Sequence, residues 1–363
     1  MTNPVEHLRA QGQAVWLDTI HRGMIISGEL ARLVNAGLIT GLTSNPTIFQ
    51  RAITGSNDYL PALKALGKRS PTPYEAFLDI ASEDLRLAAD ILRDVYDDTE
   101  GRDGFVSFEA QAGPTDSMVA EAHRMFALVD RPNVMIKVPG TPEGVEAVAG
   151  MISEGINVNI TLLFDVDVYE RFADAYLRGL EGRQAAGARI DTVASVASFF
   201  VSRVDTKADA SLPEGSRLRG RVAIANARLA YGLFQRIFSG PRWEALASAG
   251  ARVQRPLWAS TGTKDPAYSD VLYVEELVAP HTVNTMPEAT LEAFLDHGKV
   301  RPAIQEGLTD AAAVISEARV AGLDLTDIGS DLLSEGLAAF EKDFGRLLEA
   351  VAEAIRVKTA AAT

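Results

Sequence analysis

The amino-acid sequence predicts an α/β fold, a closed (β/α)8 TIM barrel with additional C-terminal helices. Short apolar strands alternate with helical stretches along the chain, and eight such strands are found. No Gly-x-Gly-x-x-Gly turn follows the first strand, which counts against an open dinucleotide-binding sheet. No linker interrupts the strand spacing. We therefore expect residues 1–363 to form one barrel domain, with residues 303–363 as a helical extension packed on it.

The strands are recognised as short apolar or alternating runs that end at Pro, Gly or polar residues. Pro46 stops the second strand, and Pro139 with Gly140 stops the fourth. In chain order the predicted strands cover residues 15–18, 41–45, 106–111, 133–138, 157–163, 193–200, 255–261 and 283–286.

Helix signals fill the intervals between these strands. Ser27 is a plausible N-cap, Pro142 and Glu143 suit a first helical turn, and Asp165 suits an N-cap. Residues 205–220 are expected to be a polar excursion containing Gly and Pro. The predicted helices cover about 27–35, most of 47–98, 116–129, 141–154, 165–179, 222–238, 288–297, 303–320 and 329–357.

Composition limits the classes of function. The chain has 363 residues, a net charge of −14 and 47% hydrophobic residues, enough for a large core. The absence of cysteine excludes disulfides, thiolate catalysis and cysteine-ligated metals, and the five histidines show no metal-ligand spacing. The acidic balance argues against nucleic acid as a partner. With neither a signal-peptide pattern nor an apolar run long enough to span a membrane, we expect a cytoplasmic protein without a membrane partner, as a monomer or a homodimer.

Polar side chains share one face of four strands. Alternation along the strands sets these polar residues apart from the aliphatic ones between them. In a barrel this face points inward, and its carboxyl-terminal end is where such enzymes keep their active sites. An isolated strand lysine is usually a salt-bridged structural residue, but convergence of this set predicts an active site. The set comprises Asp18, Glu109, Lys137, Asn159 and Thr161.

These residue types suit Schiff-base chemistry. Lys137 could add to a ketone, and Glu109 with a water near Thr161 could support loss of water from the adduct. Asp18 could then take the proton of the β-hydroxyl while the carbon–carbon bond breaks. This is a class I aldol mechanism that needs no metal or other cofactor. The substrate hydroxyls could be bound by two amides, Asn45 and Asn159.

Lys207 is the competing lysine. It follows the sixth strand within Asp-Thr-Lys-Ala-Asp, a place where many class I aldolases hold their imine lysine. Its acidic and polar surroundings instead indicate a solvated or salt-bridged ammonium group.

Five segments resemble the transaldolase family. The resemblance runs from about residue 12 to residue 290, and the Phe-Glu-Ala-Gln-Ala-Gly run at 108–113 is similar to the longer bacterial branch. The segments are Trp-Leu-Asp-Thr-Ile (16–20), Thr-Ser-Asn-Pro-Thr-Ile-Phe (43–49), Ile-Lys-Val-Pro-Gly-Thr (136–141), Asn-Ile-Thr-Leu-Leu-Phe (159–164) and Ser-Phe-Phe-Val-Ser-Arg-Val-Asp (198–205).

The resemblance implies the following activity and roles. A dihydroxyacetone unit would pass from sedoheptulose 7-phosphate or fructose 6-phosphate to glyceraldehyde 3-phosphate or erythrose 4-phosphate, within the pentose phosphate pathway. Lys137 would form the Schiff base, Asp18 would act at the substrate C4 hydroxyl, and Glu109, with a water near Thr161, would serve imine formation and hydrolysis. The implied substrate-binding residues are Asn45, Asn159, Ser198 and Phe200 for the dihydroxyacetone unit, and Arg203 and Ser260 for the phosphate.

One departure concerns the phosphate pocket. Shorter transaldolases carry an arginine two residues after the serine that matches Ser260, where this chain has Gly262. Lys264 is the candidate for the second cation, and backbone amides around Gly262 are the alternative. Two other functions stay open: a class I sugar-phosphate aldolase like fructose 6-phosphate aldolase, and a non-catalytic sugar-phosphate-binding protein.

Overall fold

The structure is a computed structural model that describes residues 3–360, with side chains described through residue 356. Its eight strands are parallel and follow one another in chain order around a closed barrel, which confirms the predicted fold class. The strands are β1 (Gln13–Leu17), β2 (Gly41–Leu42), β3 (Val106–Glu109), β4 (Val134–Pro139), β5 (Val158–Leu163), β6 (Ser195–Phe200), β7 (Arg255–Ala259) and β8 (Thr282–Met286).

The alternation expected along each strand is present in the barrel. Apolar residues of one parity face the helices, while Trp16, Met135 and Leu257 belong to a separate cluster that fills the barrel interior. A side chain at Gly41 would lie 2.6 Å from the Trp16 ring, so only glycine fits opposite this indole. This apolar cluster packs the barrel interior below the polar inward-pointing residues.

The helices surround the barrel and cross its carboxyl-terminal end. They are α1 (Pro4–Ala10), α2 (Arg22–Ile26), α3 (Glu29–Asn35), α4 (Pro46–Gly55), α5 (Leu60–Gly67), α6 (Pro73–Ile91), α7 (Arg93–Asp98), α8 (Thr115–Val129), α9 (Pro142–Glu154), α10 (Val166–Ala185), α11 (Ser202–Ser211), α12 (Val222–Ile237), α13 (Pro241–Ser248), α14 (Leu272–Glu276), α15 (Glu288–His297), α16 (Ala303–Val320) and α17 (Leu325–Ala360).

The prediction of a polar excursion over residues 205–220 is wrong in its first part, because helix α11 covers residues 202–211. The polar composition of this segment gives no sign that one face of its helix is buried. Asp205 on that face accepts hydrogen bonds from the Ala223 backbone N–H and from the Tyr273 hydroxyl. A carboxylate whose hydrogen bonds are made in this way can occupy a position in the core. Hydrophobic periodicity does not identify such a position.

Helix α17 crosses the open end of the barrel. Phe344 is buried and packs edge-on against Phe77, which holds the helix on the α6 side. On the opposite side, Lys207 of α11 pairs with Asp331 and Glu335 of α17. The C-terminal helix therefore forms part of the wall around the barrel mouth. The assignment of residues 303–363 as an extension of a single domain stays a prediction.

Candidate active site

A cavity of about 510 Å³ opens at the carboxyl-terminal ends of the strands. Ten of the eleven predicted site residues line it, although they come from segments far apart in the chain. The structure thus brings together the residues that the sequence analysis selected, with Asn159 as the exception. The ten are Asp18, Asn45, Glu109, Lys137, Thr161, Ser198, Phe200, Arg203, Ser260 and Lys264.

Lys137 and Glu109 form the buried charge pair of this cavity. They are register partners on adjacent parallel strands, so both side chains point inward at the same level. The Lys137 ammonium donates to Glu109 Oε2 at 2.9 Å and to the Ser44 carbonyl at 3.0 Å, and Lys137 is only 7% exposed. Burial raises the pKa of Glu109, while the nearby lysine charge works in the opposite direction. This pair can exchange a proton at the edge of a solvent-accessible cavity.

Asp18 follows β1 and is held by hydroxyl groups. Thr43 donates to Asp18 Oδ1 at 2.6 Å, and the Thr43 and Thr285 hydroxyl oxygens are 2.8 Å apart. The sequence alone does not single out either threonine. Thr43 stands in the Thr-Ser-Asn-Pro segment and could have been noticed, whereas Thr285 becomes a neighbour only when β8 closes against β1. The carboxylate is therefore oriented but leaves its second oxygen for a ligand.

Asn45 caps α4 as well as lining the cavity. Its side-chain oxygen accepts from the Ile48 backbone N–H at 3.0 Å, as an N-cap residue does. Its NH₂ group is thus the part of the amide left for a substrate hydroxyl.

Asn159 is the predicted site residue that does not line the cavity. It is fully buried, donating to the Ser107 hydroxyl at 3.0 Å and accepting from the Ser198 hydroxyl at 2.6 Å. Asn159 pairs in register with Lys137, but its shorter side chain stops below the level that the lysine reaches. It supports Ser198, which lines the cavity and keeps acceptor capacity for a ligand. Direct contact between Asn159 and substrate stays a prediction.

Thr161 lies where β5 departs from regular geometry. The pairing of β5 with β6 shifts between Ile160 and Leu163, and Leu162 adopts a positive φ of 59°. A β-branched or bulky residue rarely adopts such a conformation, and bulges of this kind are frequent beside active sites. The irregularity sits directly next to the threonine that lines the cavity.

Two cationic side chains that line the cavity, Arg203 and Lys264, follow β6 and β7. The Arg203 guanidinium lies 5.2 Å from the centre of the Phe200 ring and has no ion pair or hydrogen bond with the part of the chain that the structure describes. Burial lowers the pKa of Arg203, but the usual pKa of an arginine side chain is so high that the guanidinium stays charged. Ser260 has a positive φ of 56°, and its hydroxyl lies 2.8 Å from that of Ser202. Lys264 reaches the same cavity.

The structure adds cavity residues that the sequence pattern does not indicate. Arg51 comes from α4, and Phe340 and Asp343 come from α17. Thr47 of α4 donates to Asp343 Oδ2 at 2.7 Å, which ties the two helices together beside the cavity. No local sequence signal relates positions 296 residues apart. Phe340 and Asp343 reach the cavity because α17 folds back over the mouth of the barrel.

Lys207 lies outside this cavity, in ion pairs with Asp331 and Glu335, which agrees with its interpretation as a salt-bridged lysine. Within residues 3–360 no group of three or more His, Asp or Glu side chains is arranged to hold a metal ion. The cofactor-free mechanism stays a prediction. Among the described helices, none is long and apolar enough to cross a membrane.

Comparison with known proteins identifies the family. Residues 15–351 match the family model described as transaldolase/fructose-6-phosphate aldolase. A protein named "Transaldolase" from Parafrankia sp. (strain EAN1pec) is 50% identical over 97% of this chain and 98% of its own length. A "Transaldolase" from Thermobifida fusca is 48% identical over 99% of this chain and all of its own, and "Transaldolase 1" of Streptomyces avermitilis is 48% identical over 98% and 97%. The resemblance inferred from the five segments is confirmed: this chain belongs to the transaldolase/fructose-6-phosphate aldolase family.

Proposed function

We propose that this chain is a transaldolase that transfers a dihydroxyacetone unit between sugar phosphates through a Schiff base on Lys137. The observation that carries the proposal is the buried Lys137–Glu109 pair at the edge of the cavity, in a chain of this family. The donor would be sedoheptulose 7-phosphate or fructose 6-phosphate, and the acceptor would be glyceraldehyde 3-phosphate or erythrose 4-phosphate.

The first steps form the imine. After losing a proton, the Lys137 amine adds to the C2 carbonyl of the ketose, and the resulting carbinolamine loses its hydroxyl group as water. That departure needs a proton, and the raised pKa of the Glu109 carboxyl favours its role as the donor. Because Glu109 already contacts the amine, one side chain could take the first proton and supply the second.

The iminium then accepts electrons from the C3–C4 bond. Asp18 removes the proton from the C4 hydroxyl, the bond breaks, and the aldose phosphate leaves with a C4 aldehyde. The remaining enamine attacks the aldehyde carbon of the acceptor while Asp18 returns its proton to the new hydroxyl. Water then hydrolyses the imine, which releases the product and restores Lys137.

Substrate orientation follows from the two ends of the cavity. Asn45 and Ser198 border the lysine end and suit the dihydroxyacetone hydroxyls, with Phe200 beside them. Arg203, Ser260 and Lys264 suit the phosphate, because an unpaired guanidinium presents a planar fork to two phosphate oxygens. A cytoplasmic location and a monomeric or homodimeric state remain part of the proposal.

The test is trapping of the intermediate. The protein is incubated with fructose 6-phosphate and reduced with borohydride, and the modified peptide is identified by mass spectrometry. We expect the three-carbon adduct on Lys137. A label on Lys207 with Lys137 unmodified would overturn the site, and absence of any label would overturn the Schiff-base mechanism.

The hydrolytic aldolase is the second candidate, since the family name includes both activities. It differs in the fate of the enamine, which is protonated and released as free dihydroxyacetone. Consumption of fructose 6-phosphate and release of free dihydroxyacetone are therefore both measured with and without erythrose 4-phosphate. For a transaldolase we expect the acceptor to increase turnover strongly and to yield sedoheptulose 7-phosphate. Equal turnover in both cases, with dihydroxyacetone as the product, would identify an aldolase.

A further inference from the structure

Three cationic side chains line the cavity without an ion pair in the part of the chain that the structure describes: Arg51, Arg203 and Lys264. The last two follow β6 and β7, respectively, while Arg51 belongs to α4, which follows β2. In the closed order β1 to β8, the strands β2 and β6 lie across the barrel from each other. The cavity therefore has one cation on the wall opposite the phosphate end assigned to Arg203.

Arg51 also stands where the cavity continues into a second space. A groove of about 370 Å³ runs beside α4 and is lined by His21 and Glu288, among others. Asp18, Ile48, Arg51 and Pro287 border both spaces, so the groove adjoins the cavity at the Asp18 carboxylate and beside the Arg51 side chain. This geometry marks an entrance to the cavity.

The neighbouring carboxylate does not neutralise Arg51. Thr47 and Arg51 are four residues apart and share one face of α4. Thr47 binds one oxygen of Asp343, and Arg346 lies 3.7 Å from the other. No ion pair within 4 Å joins Arg51 to any carboxylate of the described residues. Its guanidinium is exposed and free to bind an anion from solvent.

We propose that Arg51 captures the phosphate of sugar phosphates at this entrance, before the phosphate reaches the Arg203 end of the cavity. The inference rests on the proposed transaldolase function, in which one aldose phosphate must leave and another must enter during each cycle. The protein carries a net charge of −14 and repels such dianions, and an exposed cation at the entrance raises their local concentration. Arg51 is thus a specificity-determining residue that acts on capture of phosphorylated substrates.

The test compares Arg51→Ala, Arg51→Lys and a matched control, Arg171→Ala. Arg171 is an exposed arginine on α10 that lines no described part of this cavity and forms no ion pair within the described chain. We expect Arg51→Ala to raise KM for fructose 6-phosphate about two- to fivefold at low salt while kcat changes little. Screening at about 0.5 M salt should remove most of the difference from the wild type. Arg51→Lys should retain most of the affinity, and Arg171→Ala should match the wild type.

Two results would overturn the proposal. One is an equal change in KM for fructose and for fructose 6-phosphate, because fructose has no phosphate to capture. The other is an unchanged dissociation constant for inorganic phosphate in Arg51→Ala, measured by calorimetry at low salt. The calorimetric readout does not require turnover. If the wild type fails borohydride trapping but Arg51→Ala weakens phosphate binding, the proposed function fails and the Arg51 site stands.

Discussion

Lys137 and Lys207 both pair with carboxylates, yet they lie in different environments. Lys137 points into the barrel, is nearly inaccessible to bulk solvent and meets Glu109 at the edge of a cavity. Lys207 of α11 is partly exposed, and its ammonium donates hydrogen bonds to Glu335 and to Asp331, which raise its pKa and keep it protonated. A carboxylate partner therefore does not separate a nucleophilic lysine from a structural one. Lys137, the proposed nucleophile, is instead set apart by its burial beside an open cavity and by its single carboxyl partner.

The largest contrast is expected when each lysine is replaced by arginine. Lys137→Arg should lower kcat by on the order of 10³-fold or more, because a guanidinium stays protonated and cannot form the imine. Lys207→Arg should retain activity, since arginine can keep the ion pairs with α17. Steady-state kinetics and circular dichroism of both variants check this. A Lys137→Arg protein that keeps its activity, or a Lys207→Arg protein that is folded but inactive, would reverse the comparison.

The carboxylates sharpen the same comparison. Glu109→Gln should reduce the rate of imine formation by about 10²- to 10⁴-fold, as loss of a general acid does. Glu335→Gln changes one of the two carboxylate partners of Lys207 and should have little effect on the rate of imine formation. The rates are measured by rapid quenching with borohydride.

The pH dependence gives a second readout of Glu109. Burial raises its pKa, so this carboxyl keeps its proton at a pH where an exposed glutamate has lost it. The acid form declines as the pH rises through that raised value. Dehydration in the wild type should therefore slow on the alkaline side, and Glu109→Gln should lack this limb. An identical pH profile for both proteins would exclude Glu109 as the proton donor.

The phosphate end of the cavity gives the next largest effect. Arg203→Ala and Lys264→Ala should lower kcat/KM for fructose 6-phosphate by roughly ten- to a hundredfold, corresponding to about 1.5–3 kcal/mol per charge-assisted contact, with Arg203→Ala the stronger. The loss with fructose as donor should be much smaller. The ratio of kcat/KM for the two donors measures this selectivity. If Lys264→Ala leaves that ratio unchanged, Lys264 is not a phosphate ligand, and backbone amides near Gly262 would supply the second contact.

Much of the fold and of the site could be predicted because a barrel strand has a simple period. Inward and outward residues alternate, so Glu109, Lys137 and Thr161 stood out as polar positions among aliphatic ones. Their relative heights were harder to infer. Lys137 and Asn159 are register partners, but only the longer lysine side chain reaches the cavity, while Asn159 remains buried.

Other features depend on tertiary contacts that no local pattern encodes. Asp343 meets the cavity only because α17 folds back against α4, and Thr285 reaches Thr43 only through closure of the barrel. Helix α11 was missed for a related reason, since Asp205 is buried by hydrogen bonds rather than by an apolar side chain. Periodicity reports burial of apolar groups and is insensitive to buried polar ones.

The smallest effect should come from neutralising Lys207. Lys207→Gln removes a partly exposed charge from its contacts with the exposed carboxylates of Asp331 and Glu335, and surface ion pairs of this kind are strongly screened by solvent and salt. The sign of the pH dependence of this stabilisation follows from the raised pKa of Lys207. The stabilisation is fully present below the unfolded-state pKa of lysine and is lost as the pH rises through the higher folded-state value. The difference in unfolding free energy between wild type and Lys207→Gln should therefore be flat from about pH 6 to pH 10 and shrink above it. Urea unfolding across this range measures the difference. A difference that instead appears between pH 6 and pH 8, together with loss of activity, would mean that Lys207 titrates like a nucleophile.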